Sequence, residues 1–141
     1  MTPEQITLVQ SSFDCLEPDL PALTRRFYRE LFARDPALET LFSTDMAEQE
    51  ASFARKFTEI VRVISDLDEF LAHTRALGAR HAGYGVRVAG YQIVGEALLE
   101  ALAAILGDRF DAQTRDAWKL AYSLIAETML QGAASRRRGG M

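Results

Sequence analysis

A chain of 141 residues is long enough to form one domain with its own hydrophobic core. Its net charge of -4 argues against a nucleic acid or an anionic membrane as partner, because both need a basic surface. The single cysteine, Cys15, excludes a disulfide within the chain and suits a reducing compartment. The sequence shows no basic-then-apolar leader and no uninterrupted apolar run of membrane-spanning length, so we expect a soluble, cytoplasmic protein.

The first half of the chain shows only the helical period. Thr2, Pro3 and Gln5 form a capping box ahead of a first helix. A second helix is expected to end at Asp35–Pro36, because proline opposes its continuation. After a short segment over 37–42, residues 43–45 offer caps for a long third helix. The predicted inner faces of these helices consist of Ile6, Val9, Phe13, Leu16, Leu20, Leu23, Phe27, Leu31, Phe53, Phe57, Ile60, Val61 and Ile64.

The second half continues the same pattern. Asp66 and Asp68 begin a helix that is expected to reach His81, followed by a glycine-rich corner at Gly83 and Gly85. Two more helices are predicted, one closed by Gly107 and one beginning near Asp111. Since no stretch alternates with period two, we predict an all-α domain of six to seven helices over residues 1–132. Residues 133–141 are predicted to be a flexible C-terminal tail.

Common catalytic motifs are missing from this helical frame. There is no glycine-rich phosphate loop, no Cys/His pair at zinc spacing and no nucleophile elbow. His73 and His81 lie eight residues apart, about 80° around a helix, so they do not face one ligand together. We therefore expect no metal held by side chains alone. One imidazole could still be the axial ligand of an iron whose other four donors come from a porphyrin.

Five segments, in order and at nearly the right separations, resemble bacterial single-domain globins and the globin half of flavohaemoglobins over nearly the whole chain. They are RFYRELF at 26–32, DPALETLF at 35–42, RHAGYGV at 80–86, YQIVGEALL at 91–99 and AWKLAY at 117–122. The resemblance implies the globin fold, with helices packed at steep angles around a pocket for haem b (iron protoporphyrin IX).

The resemblance implies that His81 is the proximal iron ligand. Its second ring nitrogen then needs an acceptor, and the carbonyl near Leu77, one turn back, is expected to serve. Tyr91 could brace the imidazole, but the glutamate that completes this network in flavohaemoglobins corresponds to Ala133 here. Without that carboxylate, vigorous redox chemistry is less favoured.

On the distal side the resemblance assigns Tyr28 as the hydroxyl that donates to a bound diatomic ligand. The usual gate position on the next helix is best matched by Phe53, with Phe57 one turn deeper. With Phe53 there, the pocket would lack a second strong donor and an internal sixth ligand. An alternative register makes Gln49 the gate, and Gln49, Phe53 and Phe57 share one helical stripe.

The resemblance also implies haem contacts in most of the matching segments. Arg80, Lys56 and Arg87 are candidates to pair with the haem propionates. The implied haem-binding residues are Phe42, Phe53, Lys56, Phe57, Leu77, Arg80, His81, Tyr84, Val86, Tyr91 and Val94.

Reversible binding of dioxygen, nitric oxide and carbon monoxide is the function that the resemblance favours. The alternatives are a nitric oxide dioxygenase and a haem-based gas or redox sensor. The chain reaches Met141 without a flavin or nicotinamide segment, so dioxygenase turnover would need a separate reductase. Either a monomer or a homodimer is compatible with the sequence.

Overall fold

The computed structural model describes residues 1–42, 45–82 and 88–139, and every regular element in these ranges is helical. The α-helices are α1 (Pro3–Leu16), α2 (Leu20–Arg34), α3 (Met46–Val63), α4 (Leu67–Ala82), α5 (Val88–Leu106) and α6 (Ala112–Gly139). Short 3₁₀ segments occur at Glu17–Asp19, Pro36–Leu41 and Gly107–Arg109. The predicted all-α architecture with six to seven helices is confirmed.

Polar side chains cap the starts of three helices where the sequence indicated. Thr2 and Gln5 form the reciprocal capping box of α1, with hydrogen bonds of 2.8 and 3.2 Å. Asp45 caps α3 by accepting from the Ala47 amide at 2.9 Å. Asp111 accepts from the Thr114 amide at 2.8 Å at the start of α6. Each side chain satisfies a backbone donor that has no partner within its own helix.

A row of aromatic rings forms the centre of the core. Phe57 of α3 stacks on Trp118 of α6 and on Phe53, with ring centroids 5.6 Å apart in each pair. Phe53 in turn stacks on Phe27 of α2 at 4.5 Å. Trp118 is 1% exposed, and its indole N–H donates to the Ser12 hydroxyl of α1 at 2.8 Å. The row therefore joins four helices without leaving the indole donor unsatisfied.

Helix α5 is long and apolar. By length and composition alone, Gly90–Arg109 could cross a bilayer. Glu96 and Glu100 interrupt it, however, and Ala97, Ala101 and Leu102 are buried in the core. This pattern is that of a core helix in a packed protein.

Helix α6 passes through the predicted domain boundary. It continues to Gly139, and Ala133 is buried, so the boundary at 132/133 falls inside a packed helix. That residues beyond this point move independently stays a prediction.

Helices α4 and α6 cross with their backbones in contact. A methyl group at Gly78 of α4 would overlap the main-chain carbonyl of Met129, and one at Gly132 of α6 would overlap the carbonyl of Arg75. Only glycine permits so close an approach. This crossing fixes the last turn of α4 against α6.

Candidate functional site

A cavity of about 500 Å³ lies among α2, α3, α4, α5 and α6. Its size is typical of a site for a small organic ligand or cofactor, and most of its lining is apolar. Every predicted site residue in the described ranges lines it: Tyr28, Phe42, Gln49, Phe53, Lys56, Phe57, Leu77, Arg80, His81, Tyr91 and Val94. Tyr84, Val86 and Arg87 lie outside the described residues.

His81 stands at the cavity wall in the last turn of α4. Its Nδ1 lies 2.9 Å from the main-chain oxygen of Leu77, one turn back, as the sequence predicted. A carbonyl can only accept, so Nδ1 carries the proton and Nε2 carries the lone pair. Burial lowers the pKa of His81, partly offset by the bond to Leu77, so the imidazole is neutral near pH 7. A neutral imidazole with a fixed tautomer is the form that ligates a metal.

Tyr28 and Gln49 form a polar pair inside an otherwise aromatic wall. Tyr28, on α2, is 5% exposed, and its hydroxyl accepts from Gln49 Nε2 of α3 at 2.9 Å. Burial raises the pKa of Tyr28 to about 12, so the phenol stays protonated at ordinary pH. Because the hydroxyl accepts from Gln49, its own proton is available to donate to a further group.

The pair changes the predicted view of the gate. Phe53 does line the cavity, but it stacks on Phe27 and Phe57 within the aromatic row. Gln49, one turn earlier on the same stripe, reaches the Tyr28 hydroxyl. Both side chains line the cavity, so Phe53 and the polar Gln49 lie there together, and which of them acts as the gate stays a prediction.

Phe42 closes the cavity from the segment that precedes α3. Asp35 caps the 3₁₀ turn Pro36–Leu41 by accepting from the Ala37 amide at 3.1 Å. This turn brings the Phe42 ring edge-on to Tyr28, with centroids 5.6 Å apart. The ring thus restricts the space in which the phenol can move.

Basic side chains edge the cavity at two points. Lys56 of α3 is 42% exposed and pairs with Glu59 at 3.2 Å. Arg80 of α4 is exposed beside His81. Both side chains line the cavity and can reach a negative group at its mouth.

The sequence did not assign several lining residues to the site, and Tyr122 of α6 is the most informative. Its hydroxyl donates to the main-chain carbonyl of Tyr91 at 2.5 Å, and its ring lies against Gly95. Burial raises the pKa of Tyr122, so this donor stays protonated. The other unassigned lining residues are Phe27, Leu31, Leu38, Ser52, Ile60, Gly90, Leu98, Ile125 and Met129. Helical periodicity had marked Phe27, Leu31 and Ile60 as core only.

The fold and this cavity define a class of protein: helices wrapped around an apolar pocket with one neutral imidazole on its wall. The globin family model matches residues 25–129, and the chain belongs to the globin family. The resemblance inferred from the sequence is thereby confirmed.

Relatives and solved structures agree with this family. The flavohemoprotein of Vibrio cholerae is 29% identical over 133 residues, which is 92% of this chain and 34% of that protein. The chain thus spans about a third of the length of that relative.

A bacterial globin from Campylobacter jejuni superposes with a TM-score of 0.82 at 27% identity, covering 95% of this chain and 97% of the other. An engineered carbene transferase from Rhodothermus marinus, whose parent is assigned as a nitric oxide dioxygenase, gives a TM-score of 0.86 at 27% identity. The superposition covers 96% of this chain and 94% of that one.

Proposed function

We propose that this globin holds haem b in the cavity and reversibly binds dioxygen, nitric oxide and carbon monoxide there. Bound haem would supply one iron atom with an open coordination position for a diatomic gas. The observation that carries the proposal is the His81 imidazole on the cavity wall, with its Nδ1 fixed by Leu77.

The residues present fit the group. A flat, largely apolar macrocycle needs an apolar slot, one axial donor and cations near its carboxylates. The cavity of about 500 Å³ offers the slot, and His81 Nε2 offers the donor. Lys56 and Arg80, which line the cavity, would pair with the propionates. Leu77 and Val94 are apolar lining residues that would contact the ring.

Helix α2 provides one oriented hydroxyl to the cavity. Tyr28 would donate a hydrogen bond to the polarised diatomic ligand, while Gln49 donates to the phenol oxygen and orients it. A hydrogen bond to a charged or strongly polarised group contributes about 1.5–3 kcal/mol. This bond would slow dissociation of dioxygen more than that of carbon monoxide, which is a weaker acceptor.

The test compares the two histidines of α4. After supplementation with haem, the wild-type protein is expected to show a Soret band, and His81→Ala is expected to lose most of the bound haem. His73→Ala is the matched control, because His73 is exposed on the same helix and does not line the cavity. Equal haem retention in His81→Ala and wild type would contradict the proposal.

A nitric oxide dioxygenase is the second candidate, favoured by the assignment of the R. marinus neighbour's parent and by the flavohemoprotein relative. Turnover would then need a reductase to return the iron to the ferrous state. Multi-turnover nitrate formation from nitric oxide, with a reductase and its reduced nicotinamide, decides between the two. A single turnover followed by accumulation of ferric protein would leave only gas binding.

A further inference from the structure

The α4–α6 crossing consists of a reciprocal pair of glycines. Gly78 of α4 lies against the Met129 carbonyl of α6, and Gly132 of α6 lies against the Arg75 carbonyl of α4. On each helix the glycine and the residue that supplies the carbonyl are three residues apart (Arg75 and Gly78 on α4, Met129 and Gly132 on α6), so the two close contacts lie about one helical turn apart. Main-chain carbonyls cannot rotate aside as the end of a side chain can, so neither helix can adapt to an added methyl group.

One of these contacts lies directly beside the group that holds His81. The Leu77 oxygen that accepts from His81 Nδ1 belongs to the peptide unit joining Leu77 to Gly78. The α-carbon of Gly78 belongs to this peptide unit, and at this residue α4 contacts the Met129 main chain of α6. Met129 also lines the cavity, so the same residue of α6 contacts both the site and the glycine.

We propose that Gly78 is a positioning residue for His81: its close contact with the Met129 main chain sets the direction of the Leu77 carbonyl and, through it, the imidazole. The inference rests on the proposed haem function. A methyl group at position 78 would push the last turn of α4 away from α6 and tilt that carbonyl. The Nδ1–H···O bond would lengthen, and the imidazole would become a weaker donor to iron.

The primary test is Gly78→Ala in the haem-bound, ferrous protein. Resonance Raman spectroscopy is expected to show the iron–imidazole stretching band at lower frequency than in wild type. The rate of haem loss to an excess of a haem-scavenging apoprotein is expected to rise about ten- to hundredfold, as for other residues that orient a metal ligand. Urea unfolding of the same samples reports any general loss of stability.

Leu102→Ala is the matched control for general destabilisation. Leu102 is fully buried on α5 but does not line the cavity. We expect it to lower the urea midpoint while leaving the Raman band at the wild-type frequency. A purely structural role of Gly78 would give the same pattern in Gly78→Ala, and that result would overturn the inference.

Gly132→Ala tests the same crossing one turn away and decides the question alone if Gly78→Ala does not fold. Its added methyl group meets the Arg75 carbonyl, further from the Leu77 acceptor. We expect a smaller band shift in the same direction, and an unshifted band would overturn the inference. A wild-type protein that takes up no haem would instead overturn the proposed function, together with everything built on it.

Discussion

The two sides of the cavity are built in different ways. The wall that carries His81 depends on main chain against main chain, at the Gly78–Met129 and Gly132–Arg75 contacts. The wall that carries Tyr28 is joined by side-chain contacts: aromatic rings 4.5–5.8 Å apart and one amide–hydroxyl bond. Rings can shift by rotation about side-chain bonds, but helices in main-chain contact cannot. The proposed metal ligand therefore lies on the rigid wall, and the groups proposed to face the gas lie on the adaptable one.

The largest effect is expected from removing the ring at the centre of the adaptable wall. Phe57 contacts Phe13, Phe53 and Trp118, so Phe57→Ala should lower the free energy of unfolding by about 3–5 kcal/mol. Urea titration followed by circular dichroism measures this change, with the more conservative Phe57→Leu as the milder control. If the wall that carries His81 is independent of the wall that carries Tyr28, the resonance Raman iron–imidazole band of folded, ferrous Phe57→Ala keeps its wild-type frequency.

Tyr28→Phe should have the next largest effect, on ligand release. It removes the hydroxyl and leaves the ring in the contacts with Phe27, Phe42 and Phe53. We expect the dioxygen dissociation rate to rise about ten- to hundredfold, matching a lost bond of 1.5–3 kcal/mol. Stopped-flow displacement by carbon monoxide measures the rate, and an unchanged rate would reduce Tyr28 to a packing role.

Gln49→Leu should produce a smaller change in the same direction. The amide does not need to touch the gas, because it donates to the Tyr28 oxygen at 2.9 Å and thereby orients the phenol. Loss of an ordinary hydrogen bond of about 1 kcal/mol predicts a roughly fivefold faster dissociation. In the Tyr28→Phe background the same substitution should add little, and additive effects would show that Gln49 acts on the ligand independently.

The smallest predicted effect is that of pH. Because burial raises the pKa of Tyr28 to about 12, the phenol remains a neutral donor and dioxygen dissociation should be flat between pH 6 and 10. The neutral phenol makes its full contribution to the free energy of unfolding below pH 10, and this contribution is lost as the pH rises toward 12. A pH-dependent dissociation rate in wild type that disappears in Tyr28→Phe would show that the phenol ionises earlier.

The sequence predicted the helices because helix formation follows local rules, whereas most of the candidate site residues came from the resemblance to globins. Helical periodicity identified the inner faces, and Thr2, Asp45 and Asp111 marked helix starts in their own sequence neighbourhood. The Leu77 acceptor was predictable because it lies one helical turn from His81.

Contacts between segments that are distant in the sequence could not be predicted from local patterns. Gln49 and Tyr28 are 21 residues apart, and whether the amide or the Phe53 ring enters the pocket depends on how α3 is rotated against α2. Likewise, a glycine at position 78 permits another segment to approach closely, but only the folded helices show that this segment is the main chain at Met129.

The position of α6 has a consequence for the order of events during synthesis. Trp118, Met129 and Gly132 all belong to this last helix of the described chain, which the ribosome completes after every other wall of the cavity. Until it emerges, α4 lacks the helix against which most of it packs, although it also contacts α3. We therefore expect stable cofactor uptake to follow the synthesis of α6.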